Sequence, residues 1–350
     1  MLVRSIFCFI LLLPTVLTAQ PVVRQLQSGF IFDEPVTVSC HASTLEEVGE
    51  GRLLAAWFGG SQEGAKDVGI YLSAYDGADW STPRQVVAPL VADGDTLPCW
   101  NPVLYRSEAG RLYLFYKIGK NPREWYGVVR TSTDGGEQWS APTDLPAGIL
   151  GPVRNKPVEI VPGVIVCGSS TESPEDNTWR VHVERYYEAE DRWERVTVPN
   201  PKGLEIIQPT LLRHGGDTLQ LLCRSKHGKL VDTWSTDAGR HWSAADTTTV
   251  LNSNSGVDAL TLPCNGFLLV NNPLRPGQDW WNGRNVLDLE YSPNGTDWQP
   301  LLDLERQPEG EYSYPAIIQA SDGWVHLTYT YDRRRIRHVA LLVPTCGPAP

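Results

Sequence analysis

The chain has no excess of positive charge: 30 Lys and Arg stand against 41 Asp and Glu, for a formal net charge of −11. Nucleic acids and anionic membrane surfaces are bound through basic faces, so neither is expected as a partner. A few arginines can still make one pocket locally positive, which leaves an anionic small substrate open. Long apolar runs are missing too. Ile6 to Leu17 spans 12 residues, against the ~18 or more of a membrane span. Arg4 before it and Thr18-Ala19-Gln20 after it predict a secretory signal peptide over 1–19. The expected product is secreted or periplasmic, without membrane insertion, as one domain over 20–350. Cys8 lies inside the run and the expected cleavage point is followed directly by Gln20 rather than a cysteine, which argues against a lipid anchor.

Other absences narrow the chemistry. The seven histidines are dispersed, and no His/Cys/Asp spacing of a metal site occurs. Gly59-Gly60 follows a strand-like run but opens no helix, so no phosphate-cradling loop is present. No metal and no other cofactor is expected. Six cysteines remain beyond the leader, Cys40, Cys99, Cys167, Cys223, Cys264 and Cys346. An even count in an exported chain permits disulfides. Cys40, Cys167 and Cys223 end apolar runs where a small buried residue fits equally well, and no pairing is assigned. No capped apolar stretch of helical period is long enough for a major helix.

What the chain does contain is short strands. "RLLAAWFGG", "RLYLFYKIG", "GVIVCGSS", "TLQLLCRS", "GFLLVNN" and "WVHLTYTY" are rich in β-branched or aromatic residues and bounded by Gly, Asp, Asn or Pro, which predicts an all-β fold. Between them runs a repeat: "STDGGEQW" from Ser132, "STDAGRHW" from Ser235, and worn versions "SPNGTDW" from Ser292 and "SAYDGADW" from Ser73. A weaker copy, "YYEAEDRW", ends at Trp193. Asp caps backbone N–H groups in the turn, Gly takes the positive φ, and Trp anchors the loop. The tryptophans at 80, 139, 193, 242 and 298 recur every 49 to 59 residues, a period suited to propeller blades. Five such hairpins plus "DGWVHLTYTY" make six blades. Closure is expected to pair the segment near Val22–Phe32 with the last blade, removing open edges.

These repeats resemble the Asp-boxes of the sialidase superfamily, and the chain is similar to that family's six-bladed β-propeller over nearly all of 20–350. The resemblance implies three arginines for the substrate carboxylate, a Tyr–Glu pair as nucleophile and base, and an acid/base Asp. A phenol suits this task because it arrives neutral beside a carboxylate that would repel Asp or Glu. "EYSYPAIIQASDG" has the family's Tyr-Ser pair ahead of the last Asp-Gly turn. It makes Tyr312 the nucleophile candidate and Tyr314 a pocket neighbour. Arg224 in "LLCRSK" and Arg284 in "NGRNVLDLEYSPNG" match the second and third arginines, whose planar forks suit a carboxylate.

Three positions depart from the family. "CHAS" puts His41 where the first arginine stands, and Glu63 or Asp67 takes the place of the acid/base Asp. Gln208, 16 residues before Arg224, replaces the activating Glu. Gln accepts no proton, so three candidates stay open for activating Tyr312: the charges of Arg224 and Arg284 on its phenol, His41 as a base near pH 7, and Glu205 under a shifted register. Asn101, Arg154, Asn155, Lys156 and Asp258 enter inner strands and are candidates for binding sugar hydroxyls or a second acidic group. The implied function is an exported exo-glycosidase acting on a glycan or oligosaccharide with a terminal acidic sugar, sialic acid or a related 2-keto-3-deoxy acid. Two alternatives stay open: a uronate lyase in which His41 and Tyr312 exchange protons, and a carbohydrate-binding propeller without catalysis. Oligomeric state is not legible.

Overall fold

Runs such as Leu112–Ile118 and Leu219–Ser225 are buried along their whole length, which a strand achieves only when sheets cover both of its faces. The computed structural model, describing residues 21, 23–92, 94–263, 266–279 and 281–343, shows how. Six four-stranded antiparallel sheets are arranged as propeller blades. They cover 39–87 (blade I), 99–144 (II), 158–197 (III), 206–251 (IV), 258–306 (V) and 312–342 (VI). In blade VI the outermost strand is Arg24–Phe30, antiparallel to Arg335–Leu342, with Arg24 opposite Leu342 and Phe30 opposite Arg337. The N-terminal segment thus closes the ring as the sequence predicts. The expected leader, 1–19, lies outside the described residues.

The core fills the wedges between blades. Leu54 and Phe58 of blade I meet Leu104, Leu114 and Tyr116 of blade II. Val183 of blade III meets Leu211 and Leu221 of blade IV, and Leu268 and Leu289 of blade V meet Ile317 and Leu327 of blade VI. Each such side chain contributes roughly 1.5–3 kcal/mol. Cys40, Cys99, Cys167 and Cys223 are free thiols within this core. Burial raises Cys40 and Cys99 to about 12, so they act as small apolar residues. Cys264 and Cys346 lie outside the described residues.

The Asp-boxes are the hairpins between third and fourth strands. In the first full copy Asp134 Oδ1 accepts the Gln138 amide at 3.0 Å and the Ser132 hydroxyl at 2.8 Å. Gly136 (φ 88) donates its amide to Ser132 Oγ at 2.9 Å. Ser235, Asp237 and Gly239 repeat the pattern. Asn294 does the work of Asp in the worn copy of blade V.

One core residue conflicts with its surroundings. Lys117, fully buried in blade II, has the Pro152 carbonyl as its partner for Nζ. Burial lowers its ammonium to about 7, against the smaller opposing pull of Glu184. Between about 7 and the unfolded value of about 10.4 the unfolded chain holds the extra proton. Stability contributed by this site therefore rises with pH across that window. Lys117→Met is expected to stabilise the fold by on the order of 1–4 kcal/mol at pH 7. It should also flatten the rise between pH 7 and 10, read by denaturant melts of both proteins. An unchanged slope would show that Lys117 does not carry it.

Candidate active site

Antiparallel order dictates where chemistry can gather. Inner strands start on one face, and the turns between second and third strands return to it, whereas the Asp-boxes fall on the opposite face. His41, Gln208 and Tyr314 lie near the starts of inner strands, and Arg154 lies just ahead of one. Arg224 ends a second strand, Arg284 precedes a third, and Glu63 and Arg333 occupy second-to-third turns. All of them therefore reach the same end of the axis.

The inner strands do not enter this end regularly. Register shifts fall at His41/Thr44, Trp100/Val103, Ile207/Thr210 and Ser313/Ala316 in blades I, II, IV and VI. Each bulge holds a non-glycine residue in the left-handed region: Ala42 (φ 55), Asn101 (φ 39), Gln208 (φ 52) and Tyr314 (φ 53). Such bulges re-aim side chains. A bulky residue held at positive φ costs about 1–3 kcal/mol and is typically found at functional sites.

The bulge in blade VI decides which tyrosine enters the site. Tyr314 Oη accepts a hydrogen bond from Arg224 Nη1 at 2.5 Å. Guanidinium carbons of Arg154, Arg224 and Arg284 lie 5.3, 5.7 and 5.7 Å from the centre of its ring. His41 packs on the ring with centroids 4.2 Å apart. Gln208 Oε1 accepts from the same Arg224 Nη1 at 3.1 Å, so Gln208 meets Arg224 as the spacing of 16 anticipates.

Tyr312, by contrast, is 4 % exposed and packs on Tyr331, ring centroids 4.8 Å apart, within the core between blades V and VI. Burial, then the hydrogen bond with Tyr331, push its phenol well above the ordinary value. The expectation that Tyr312 faces the arginines is therefore corrected in favour of Tyr314. In a regular strand both rings share a face, and the bulge beginning at Ser313 separates them.

His41 also changes character. Burial and then the charges of Arg333, Arg284, Arg154 and Arg224 hold its imidazole well below 6.5, so it is neutral and too weakly basic to act as a base near pH 7. Its Nε2 faces Arg333 Nη2 at 3.4 Å and its Nδ1 faces Thr330 Oγ1 at 3.0 Å. A guanidinium only donates, so the proton resides on Nδ1.

Arg333 and Glu311 were not singled out from the sequence. Glu311 accepts Arg284 Nη1 and Arg333 Nε, both at 2.8 Å. Burial opposes ionisation of Glu311, but Arg333 and Arg284 outweigh it and hold the carboxyl below its ordinary value. Arg333 Nη1 also pairs with Glu63. Asp67, the other acid/base candidate, accepts the Ser61 amide and hydroxyl, each at 2.9 Å, which assigns it to loop structure.

Several rim candidates serve as framework. Asp258, 1 % exposed, accepts Lys156 Nζ (2.9 Å), Thr210 Oγ1 (2.8 Å) and the amides of Ala259 (2.9 Å) and Ile317 (3.0 Å). With Lys156 it ties four blades together around the axis. Asn155 Nδ2 bonds the Gln208 and Pro209 carbonyls at 3.3 and 3.0 Å. Asn155 Oδ1 accepts Arg154 Nη1. Asn101 occupies the bulge position of blade II. Glu205 pairs with Lys226 at 2.6 Å and does not replace Gln208.

Arg154 is the rim candidate that joins the centre. It is 2 % exposed, and its Nε and Nη2 are buried without a hydrogen-bond partner. Burial lowers it to about 10 despite the opposing charge of Asp258. Among the described residues neither Arg154 nor Arg224 has a carboxylate within ion-pair distance.

A family model described as the BNR repeat-like domain matches residues 51–327. The chain belongs to that family. Solved structures of two sialidases and of a protein of unknown function share its fold. A sialidase of Streptococcus pneumoniae, NanB, superposes with TM-score 0.68 at 12 % identity, covering 91 % of this chain and 70 % of its own. Trypanosoma rangeli sialidase in complex with sialic acid gives 0.65 at 14 %, covering 93 % and 57 %. A Dyadobacter fermentans protein of unknown function gives 0.74 at 15 %, covering 92 % and 99 %. At such identities the likeness establishes the propeller. No curated protein matches the sequence.

Proposed function

We propose that this BNR-repeat protein is an exported, sialidase-like exo-glycosidase that removes a terminal acidic sugar from glycans at the Tyr314 pocket. The observation that carries this reading is the pair of buried guanidinium groups, Arg154 and Arg224, that lack a carboxylate and flank the Tyr314 phenol. A buried cation without a counter-ion is costly, and an anionic ligand offsets that cost. The similar structures of a sialidase with sialic acid and of an intramolecular trans-sialidase with oseltamivir carboxylate support such a ligand.

In this mechanism Arg224 and Arg154 hold the sugar carboxylate while Tyr314 Oη attacks the anomeric carbon. Oη passes its proton to the Glu63 carboxylate, Glu63 passes it on to the leaving oxygen as the bond from that oxygen to carbon breaks, and water then releases the sugar, its hydroxyl going to the anomeric carbon and its remaining proton back to Oη. Charge developing on the phenol oxygen is met by Arg224 Nη1. Gln208 takes no proton, which favours slow turnover and gives a second reading, a carbohydrate-binding propeller using the same pocket.

Turnover of sialosides, other 2-keto-3-deoxy acid glycosides and uronate-ended oligosaccharides tests this. Release of one free acidic sugar is expected. An unsaturated, ultraviolet-absorbing product would overturn hydrolysis in favour of elimination. Binding with no turnover across the panel would leave the binding module.

A further inference from the structure

The segment 252–256, Asn-Ser-Asn-Ser-Gly, enters the inner strand of blade V and touches three groups of the site at once. Asn254, in the left-handed region (φ 59), accepts Arg224 Nε on its side-chain oxygen at 2.9 Å. Its carbonyl faces Arg284 Nη2 at 3.5 Å. A Cβ on Gly256 would lie 3.2 to 3.3 Å from Cγ, Cδ1 and Cδ2 of Tyr314, so the phenol ring rests directly on this backbone. His41 covers the ring from its own side.

The segment is itself held from behind. Asn252 brackets it, with Oδ1 accepting the Ser255 amide at 3.1 Å and Nδ2 donating to the Ser255 carbonyl at 3.2 Å and to Asn271 Oδ1 at 2.9 Å. The Ser253 amide donates to the Asn272 carbonyl at 3.1 Å. A Cβ on Gly283, next to Arg284, would meet Ser253 Cβ at 2.7 Å, so this loop and the arginine's backbone are in direct contact.

We propose that 252–256 is the positioning element of this site: Asn254 sets the two arginines and Gly256 sets the phenol. The inference rests on the glycosidase reading above. It predicts a division of effects, because the two residues support different tasks. Positive φ does not constrain Gly256, so alanine can adopt its backbone and one methyl group displaces the ring by a few tenths of an ångström.

The test is steady-state kinetics on whichever glycoside the full-length wild type cleaves. Gly256→Ala is expected to lower kcat by about 10–100-fold, since small misplacement of a reacting group is costly, with KM little changed. Asn254→Ala is expected to raise KM about 10-fold by freeing one hydrogen bond to a charged group, with kcat less affected. In a Tyr314→Phe background, Gly256→Ala should leave affinity for the free sugar unchanged. Wild-type kinetics in both variants, or equal losses in kcat and affinity in both, would overturn the positioning role while leaving the glycosidase reading intact. Should wild type cleave no member of the panel, the function and this inference fall together. Asn254→Ala keeps the question answerable if Gly256→Ala does not fold.

Discussion

Tyr314→Phe is expected to abolish turnover, lowering kcat by about 10³-fold or more, while Tyr312→Phe stays within a few-fold of wild type. The two residues are neighbours in the chain, and a sequence comparison favours Tyr312. Geometry separates them: the Tyr314 oxygen is 2.5 Å from Arg224 Nη1, whereas Tyr312 lies against Tyr331 inside the core. Removing the Tyr312 hydroxyl deletes one buried hydrogen bond, worth about 1 kcal/mol of stability, and leaves the pocket intact. Affinity for the free acidic sugar should survive Tyr314→Phe, because the guanidinium groups remain. Rates, inhibitor affinity and melting temperature of the two variants decide the matter. Loss of activity in Tyr312→Phe with full activity in Tyr314→Phe would sink the assignment.

The fold was largely legible because its signals are local. An Asp-box needs Ser, Asp, Gly and Trp within eight residues, and its turn looks the same wherever it occurs. Closure by the strand 24–30 follows from the same count of blades. The Gln208–Arg224 contact was legible too, because both residues lie in one blade.

The rest depends on bulges and on contacts between blades, which no single stretch displays. One signal was available. Asn101, Gln208 and Tyr314 each precede a proline, as Asn101-Pro102, Gln208-Pro209 and Tyr314-Pro315, at separations of 107 and 106 residues. They repeat one bulge position every second blade, and aligning them selects Tyr314 over Tyr312. Proline disfavours the right-handed helical region for the residue before it, which is consistent with these turns. Arg333 carries no comparable mark. It sits at φ 53 beside Asp332 at φ 49 in a tight hairpin, where Gly or Asn is the usual residue, so its role is visible only in the folded chain. Arg154 looked like one of several polar residues before a strand. What distinguishes it is the absence of a carboxylate partner, a property that exists only after folding.

That absence makes Arg154→Met the sharpest test of whether the pocket is built for an anion. Burial lowers the guanidinium from its ordinary value to about 10, so at pH 7 the folded state carries a penalty on the order of 3 kcal/mol. The penalty lessens only above about pH 10, where the unfolded chain alone keeps the proton. Met fills similar volume without charge and removes it, while Asn155 Oδ1 loses its donor at about 1 kcal/mol. The variant should therefore be more stable by about 1–2 kcal/mol in denaturant melts near neutrality. If the charge serves ligand binding, the same variant should bind acidic sugars about 100-fold more weakly, as expected for a lost charge-assisted bidentate contact. Higher stability with lower affinity is the pattern of a residue retained for function at the expense of the fold. Higher stability with unchanged affinity would instead remove Arg154 from the site and leave Arg224 and Arg284 to hold the ligand.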